Sequence, residues 1–122
     1  MGTRAVGNRH TQQSHSNILK NVGMSATGDS RSKSVRELER CCKGVANHWR
    51  IAILFLIAKE DGITLDQIAR SLAGNFKTIS EHTRRLTHAG LVEKTYVGKS
   101  VAHKLTPTGR RLYTLLSSFQ HS

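Results

Sequence analysis

Asn75-Phe76-Lys77-Thr78-Ile79-Ser80-Glu81-His82-Thr83-Arg84-Arg85-Leu86-Thr87-His88-Ala89-Gly90 reads as a helix with a signal at each end and two unlike faces. Asn75 is a good N-cap, because its side-chain oxygen can accept from a first-turn amide that has no partner inside the helix. Gly90 suits the left-handed residue just past a helix end. Between these stops Ile79, Leu86 and Ala89 recur at helical spacing and can pack inward, while Lys77, Thr78, Glu81, Arg84, Arg85 and His88 project elsewhere. One face holds the helix, and the other is left to meet a partner.

Immediately upstream, Thr64-Leu65-Asp66-Gln67 has the form of a capping box and opens a short helix whose Leu65, Ile68, Ala69 and Leu72 face inward. Ala73-Gly74 is the turn, so the segment from Thr64 to Gly90 is helix, tight turn, helix. Before it, Asn47 can cap a helix through Lys59. The interior of that helix, Ile51 to Ala58, is apolar on every side, as a central helix is. Gly62 supplies its left-handed stop, and Ile63 is a candidate one-residue bridge to a small sheet. Earlier still, Ser34-Val35-Arg36-Glu37 is another capping box, followed by a narrow apolar stripe of Val35, Leu38, Cys42 and Val45.

Downstream, Leu91 to Val97 and Val101 to Leu105 are β-favouring runs separated by Gly98-Lys99-Ser100, which predicts a hairpin. Its strands hold Lys94, His103 and Lys104 and its tip holds Lys99, a basic ribbon directly after the helix. Thr106-Pro107 then starts a last helix, with Pro107 at the first helical position where its missing donor is harmless. Leu112, Leu115, Leu116 and Phe119 follow at i, i+3, i+4 and i+7, a stripe that needs something to cover it.

The 122 residues have room for one domain, and a hydrophobic fraction of 37% allows a modest core but not a large enzyme fold. Lys and Arg number 19 against 8 acids, a formal charge of +11, which favours an anionic partner. Because the cations cluster on elements that could enter a groove, double-stranded DNA is the expected partner. No Ser-His-Asp order, paired carboxylates or phosphate-cradling glycine loop occurs, so neither catalysis nor a cofactor is expected. His48, His88 and His103 read as solvated or core-edge imidazoles.

Residues 1–33 are rich in Gly, Ser, Thr, Asn and Gln and are expected to form a disordered arm. The arm carries Arg4, Arg9, Lys20, Arg31 and Lys33 against Asp29 alone, so it could follow phosphates or be a passive tail. Met24 allows a later start of translation. No run approaches the ~20 apolar residues of a membrane span, and no secretory signal opens the chain, so a cytoplasmic location is expected. In that reducing setting Cys41 and Cys42 are expected as buried thiols, since neighbours on a helix point about 100° apart and pair poorly. No CxxC or Cys/His zinc spacing is present.

The order of elements and several short stretches resemble a winged helix-turn-helix, the ArsR-like family of small bacterial and archaeal repressors in particular. Thr78-Ile79-Ser80-Glu81-His82 sits where that family has Thr-Val-Ser-x-His, and Leu86 to Val92 resembles its Leu-x-x-Ala-Gly-Leu-Val. Asn47-His48-Trp49-Arg50 stands at its Asp-Pro-Thr-Arg, with Arg50 alone identical. Leu105-Thr106-Pro107-Thr108-Gly109 is more similar to MarR and PadR repressors. The resemblance spans about Ser34 to Phe119 and implies helices α-α-α-α, a two-strand wing and a final helix in a DNA-binding domain of residues 34–122. Two departures predict looser packing under the turn: Gly74 where the family has an apolar residue, and Thr83 where it has Leu. The metal-sensing Cys-x-Cys is absent, Leu65-Asp66-Gln67-Ile68 standing in its place, so no metal site is expected.

These readings give a set of expected contacts. Lys77, Thr78, Ser80, Glu81 and Arg84 are candidates for base edges, since Arg and Lys donate to guanine, Glu accepts from cytosine, and Ser or Thr serves either. The resemblance adds His82 to this set and also supports Ser80, since both match positions that the family commonly uses at DNA. Glu81 has an equal alternative as the intrahelical partner of Lys77 and Arg85. Of Arg84 and Arg85 at least one is expected on phosphate, with Lys94, Lys99 and Lys104 of the hairpin. Val35, Leu38 and Cys42 of the first helix and Leu112, Leu115, Leu116 and Phe119 of the last are the expected homodimer face. The functional expectation is a transcriptional regulator, specifically a repressor, binding an operator as a homodimer. The alternatives are a winged-helix protein-interaction module, or a thiol- or metal-responsive repressor using Cys41 and Cys42.

Overall fold

Side-chain caps begin every helix where the sequence places one, and they fix the frame of the fold. The computed structural model describes residues 32–122. In chain order these form α1 (Val35–Val45), α2 (His48–Lys59), β1 (Ile63–Thr64), α3 (Leu65–Leu72), α4 (Phe76–His88), β2 (Val92–Val97), β3 (Ser100–Leu105) and α5 (Pro107–Gln120). The expected arm lies outside the described residues except for Ser32 and Lys33, as does Met24.

Ser34 opens α1 with both capping-box bonds: its hydroxyl accepts from the Glu37 amide at 3.1 Å, and the Glu37 carboxylate accepts from the Ser34 amide at 2.8 Å. Thr64 and Gln67 repeat the device at α3, at 3.3 and 2.9 Å. Asn47 caps α2 through the amides of Trp49 and Arg50, and Asn75 caps α4 through that of Thr78. Each cap satisfies donors that the helix itself cannot, an effect worth about 1 kcal/mol apiece. Ala73 ends α3 in the left-handed region at φ 52°, so the turn into α4 is made by a non-glycine residue.

The chain divides into one unit ending at Arg40 and another from Cys41 to Ser122, with α1 crossing the boundary. The second unit holds the core. Ile53, Leu54 and Ile57 of α2 meet Ile68 and Ala69 of α3, Ile79 and Leu86 of α4, and Leu91, Val92 and Leu105 around the sheet, all buried. The sheet has three antiparallel strands in the order β1-β3-β2, one more than the hairpin that the sequence predicts. Ile63, read as a one-residue bridge, extends to a two-residue strand paired with His103 and Ala102 of β3. In the hairpin, Val92 faces Leu105 and Val97 faces Ser100. That register buries the base of the ribbon and leaves its outer half exposed.

The expectation of looser packing under the turn fails at both positions. Gly74 does not leave a gap: a Cβ there would come within 2.8 Å of the Ile79 side chain and 3.2 Å of the Trp49 ring, so those two groups already fill the space. Thr83 is buried, and its hydroxyl donates to the Ile79 carbonyl at 2.8 Å, which removes the cost of a polar atom under the turn. Packing beneath the turn is therefore tight. The thiols also part company. Cys41 is buried with its Sγ 3.9 Å from the Ala89 carbonyl, whereas Cys42 is exposed, so the expectation of two buried thiols holds for one.

On the last helix, Gly109 is buried where a Cβ would collide with the Leu91 carbonyl, so only glycine lets the first turn of α5 sit this close to the backbone after α4. Leu112, Tyr113 and Leu116 pack in part against the core, and Tyr113 meets Phe55 edge to face at 5.0 Å. Leu115 and Phe119 remain outward, 50% and 66% exposed. Among the described residues no single helix is long and apolar enough to cross a membrane.

Candidate nucleic-acid interface

The outer face of α4 is held in place by the completeness of its inner one. Ile79, Thr83 and Leu86 recur at steps of four and three residues and are buried against α2 and α3. Lys77, Thr78, Glu81, Arg84 and Arg85, all expected as outward residues, are exposed. Ser80 is half-buried on the side of α4 that turns toward the hairpin, where it lines a cleft.

Glu81 is the electrostatic centre of this face. Its carboxylate accepts from Arg84 Nε at 3.2 Å and Nη2 at 2.6 Å, a two-point clamp, and Arg85 Nε lies 3.6 Å from the same carboxylate. Hydrogen bonding by Arg84, reinforced by the charges of both arginines, holds the Glu81 carboxyl below its ordinary range. The intrahelical alternative for Glu81 is thus realised with Arg85, and with Arg84 in place of the expected Lys77. The carboxylate offsets the charge of guanidinium groups that would otherwise face solvent unopposed.

His82 occupies a different position from its neighbours. It is half-buried, and Arg50 of α2 places Nη1 3.0 Å from its Nδ1. A guanidinium can only donate, so His82 accepts through an unprotonated Nδ1. Burial, with the Arg50 charge acting in the same direction, pushes its pKa down. The identity of Arg50 with the ArsR-like pattern thereby gains a physical role, tying the central helix to the middle of α4. The Arg50 Nε is buried without a hydrogen-bond partner, and this is the one such side-chain atom among the described residues.

The hairpin carries less positive charge than its sequence implies. His103 is buried, not part of the ribbon's surface, and its Nδ1 is 3.0 Å from the Ile63 carbonyl across β1 and β3. Burial lowers its pKa, against the opposing effect of that hydrogen bond. Lys104 sits 3.9 Å from Glu93 of the paired strand, while Lys94 and Lys99 are exposed. Between α4 and the hairpin lies an open cleft of about 570 Å³ bordered by Ser80, Arg84 and Thr87 on one side and Lys94, Tyr96 and Ser100 on the other. Sequence reasoning missed the aromatic margin of this cleft. Phe76 and Tyr96 both border it and are 52% and 72% exposed. The available signal was an apolar residue at the first helical position of an otherwise polar face.

Of the remaining expected residues, Val35 is half-buried and Leu38 is 45% exposed on α1, with Cys42 exposed beyond them. Among the described residues no three His, Cys, Asp or Glu side chains gather into a cluster.

No protein-family model and no curated protein matches the sequence. Solved structures do match. A homodimeric winged helix-turn-helix domain of Mb0332 from Mycobacterium bovis, described as a possible ArsR-family regulator, aligns with TM-score 0.66 and 26% identity over 71% of this chain and 81% of that one. The transcriptional repressor PagR of Bacillus anthracis aligns with TM-score 0.63 and 18% identity, over 67% of this chain and 94% of its own. Streptococcus pneumoniae FabT, solved in complex with DNA, aligns with TM-score 0.56 and 20% identity over 97% and 76%. The fold is a winged helix-turn-helix. In its terms α3 and α4 are the helix-turn-helix, α4 is the recognition helix, and β2 and β3 form the wing. The ArsR-like resemblance of residues Thr78 to His82 and Leu86 to Val92 falls on that recognition helix and on its passage into the wing.

Proposed function

We infer that this chain is a sequence-specific DNA-binding transcriptional regulator, a repressor, that binds an operator as a homodimer. The observation that carries the reading is the recognition helix: a rigidly seated element whose outer face presents Lys77, Thr78, Ser80, Arg84 and Arg85 beside a cleft that the wing closes with Lys94. A chain of formal charge +11 with such a face suits a polyanion that has a groove wide enough for a helix. Lys77, Thr78, Ser80 and Arg84 reach base edges; Arg85, Lys94, Lys99 and Lys104 hold the backbone. Glu81 keeps its arginines extended and can accept from cytosine, and His82 contacts DNA only through the ring edge that Arg50 leaves unused.

The homodimer draws support from Leu115 and Phe119, apolar groups that the core leaves exposed, and from Leu38 and Cys42 on α1. A two-fold pair of domains matches the symmetry of palindromic half-sites. The structural relatives lend the same sense, one being a homodimer, one a repressor and one held on DNA. Residues 34–122 form the DNA-binding domain in this reading.

Selection of bound sequences from random duplex DNA, followed by titration over a range of salt, tests it. A recurring palindrome, bound far more tightly than random duplex and with a steep salt dependence, is the expected result. Equal affinity for all duplexes, or none for any, would overturn it.

A further inference from the structure

Phe76 is the first residue of the recognition helix and the one large apolar side chain on its outer face, 52% exposed. The inner face is complete without it, since Ile79, Thr83 and Leu86 already fill the space against α2 and α3. Its chain neighbours are polar or basic, Asn75 before it and Lys77 and Thr78 after it, and the cleft it borders holds Ser80, Arg84 and Lys94 together with Leu65, Asp66, Tyr96 and Val101. With Lys77 next to it in the chain and Arg84 and Lys94 on the same cleft, the ring is a poor patch for another protein's apolar surface, which would have to strip water from those charges. It suits a partner that sets small apolar groups among anions.

Duplex DNA has that chemistry in its major groove, where the 5-methyl of thymine is the apolar feature of the base edges and phosphates flank it on both sides. In helix-turn-helix docking, base edges are met by the first residues of the second helix, which here are Phe76 and Lys77. We propose that Phe76 reads the 5-methyl group of a thymine, its ring covering the methyl while Lys77 and Arg84 donate to adjacent positions. This rests on the DNA-binding reading above and adds a base identity to it. Phe76 cannot hydrogen-bond, so it selects by covering the methyl, and it rejects cytosine, which lacks that group.

The test replaces each thymine of the selected duplex in turn by deoxyuridine, which differs only by the missing methyl. Affinities are measured for the wild-type chain, Phe76→Ala and Phe76→Leu. At one thymine of each half-site, wild type should lose about fourfold in affinity for the missing methyl. Phe76→Ala should bind the thymine duplex more weakly and be indifferent to the exchange at that position, and Phe76→Leu should keep most of the preference. Because the ring is more than half exposed, all three proteins should melt alike. Equal wild-type affinity for thymine and deoxyuridine at every position, or an undiminished preference in Phe76→Ala, would overturn the assignment while leaving the regulator reading intact. Failure to select any duplex would overturn that reading and this one with it.

Discussion

The recognition helix and the last helix are built alike on the inside and oppositely on the outside. Both begin with a side-chain cap, Asn75 accepting from the Thr78 amide at 3.2 Å and Thr106 from the Gly109 amide at 2.9 Å. Both bury one edge, α4 through Ile79 and Leu86 and α5 through Gly109 with Leu112 and Leu116 in part. Outward, α4 shows Lys77, Glu81, Arg84 and Arg85, whereas α5, after Arg110 and Arg111 near its start, shows Leu115 and Phe119. The same core thus positions a charged face and an apolar face. The residues that the core does not use decide what each helix can meet.

The comparison breaks hardest at the apolar face. Leu115→Asp with Phe119→Asp should convert a dimer to a monomer, a cost on the order of 3–5 kcal/mol for a charge without a partner at the seam. These two are better probes than Leu116, which already packs in part on its own core. Sedimentation decides it, and a dimer that persists in the double variant would move the seam elsewhere.

At the charged face, Arg84→Ala or Lys77→Ala should cost about 1–3 kcal/mol on the preferred site and relax base preference, with little loss on random duplex. Uniform weakening on every sequence would instead make these side chains phosphate contacts. Glu81→Gln removes the carboxylate that clamps Arg84 and approaches Arg85. The helix itself should lose little stability, because both pairs lie in solvent. Random duplex should bind more tightly and the preferred site gain less, so that the ratio between them falls; an unchanged ratio counts against Glu81 as a restraint. Lys99→Ala at the wing tip should weaken all duplexes alike and reduce the magnitude of the salt slope by about one.

A last, smaller effect concerns pH. The folded chain holds His82 and His103 below the ordinary histidine value of 6.5, chiefly through burial. The unfolded chain then binds more protons in the window below 6.5, so stability is full above that value and declines as pH falls toward the folded pKa values. Protonating His82 also puts a donor against Arg50, which loosens the tie between α2 and the recognition helix. Melting between pH 7.5 and 5 reads the decline, and His82→Asn should flatten part of it. A transition that stays level over that range would contradict both assignments.

Much of this architecture is legible locally. Caps at Ser34, Asn47, Thr64, Asn75 and Thr106 need only a short polar side chain and amides a few residues ahead, so the sequence marks each helix start where the structure has it. The inward residues of α3 and α4 follow from helical period alone. Other features depend on distant chain. His103 looked like part of a basic ribbon because strand alternation does not reveal that β1 will cover one face of β3 and offer the Ile63 carbonyl to it. Gly74 looked like a gap because nothing nearby in sequence announces that Trp49 will fill it.

The helix starts, the hairpin strands to within about a residue, the excess of positive charge and the two-faced character of the recognition helix were all legible in the chain, because these depend on spacing and composition within a few residues. Tertiary packing was needed to show that His82 is engaged by Arg50, that Cys41 and Cys42 have opposite exposure, and that Phe76 stands at the margin of a cleft against the wing. Each of those depends on where a side chain meets a neighbour or the solvent, and that is fixed by how the helices pack and rotate about a shared core.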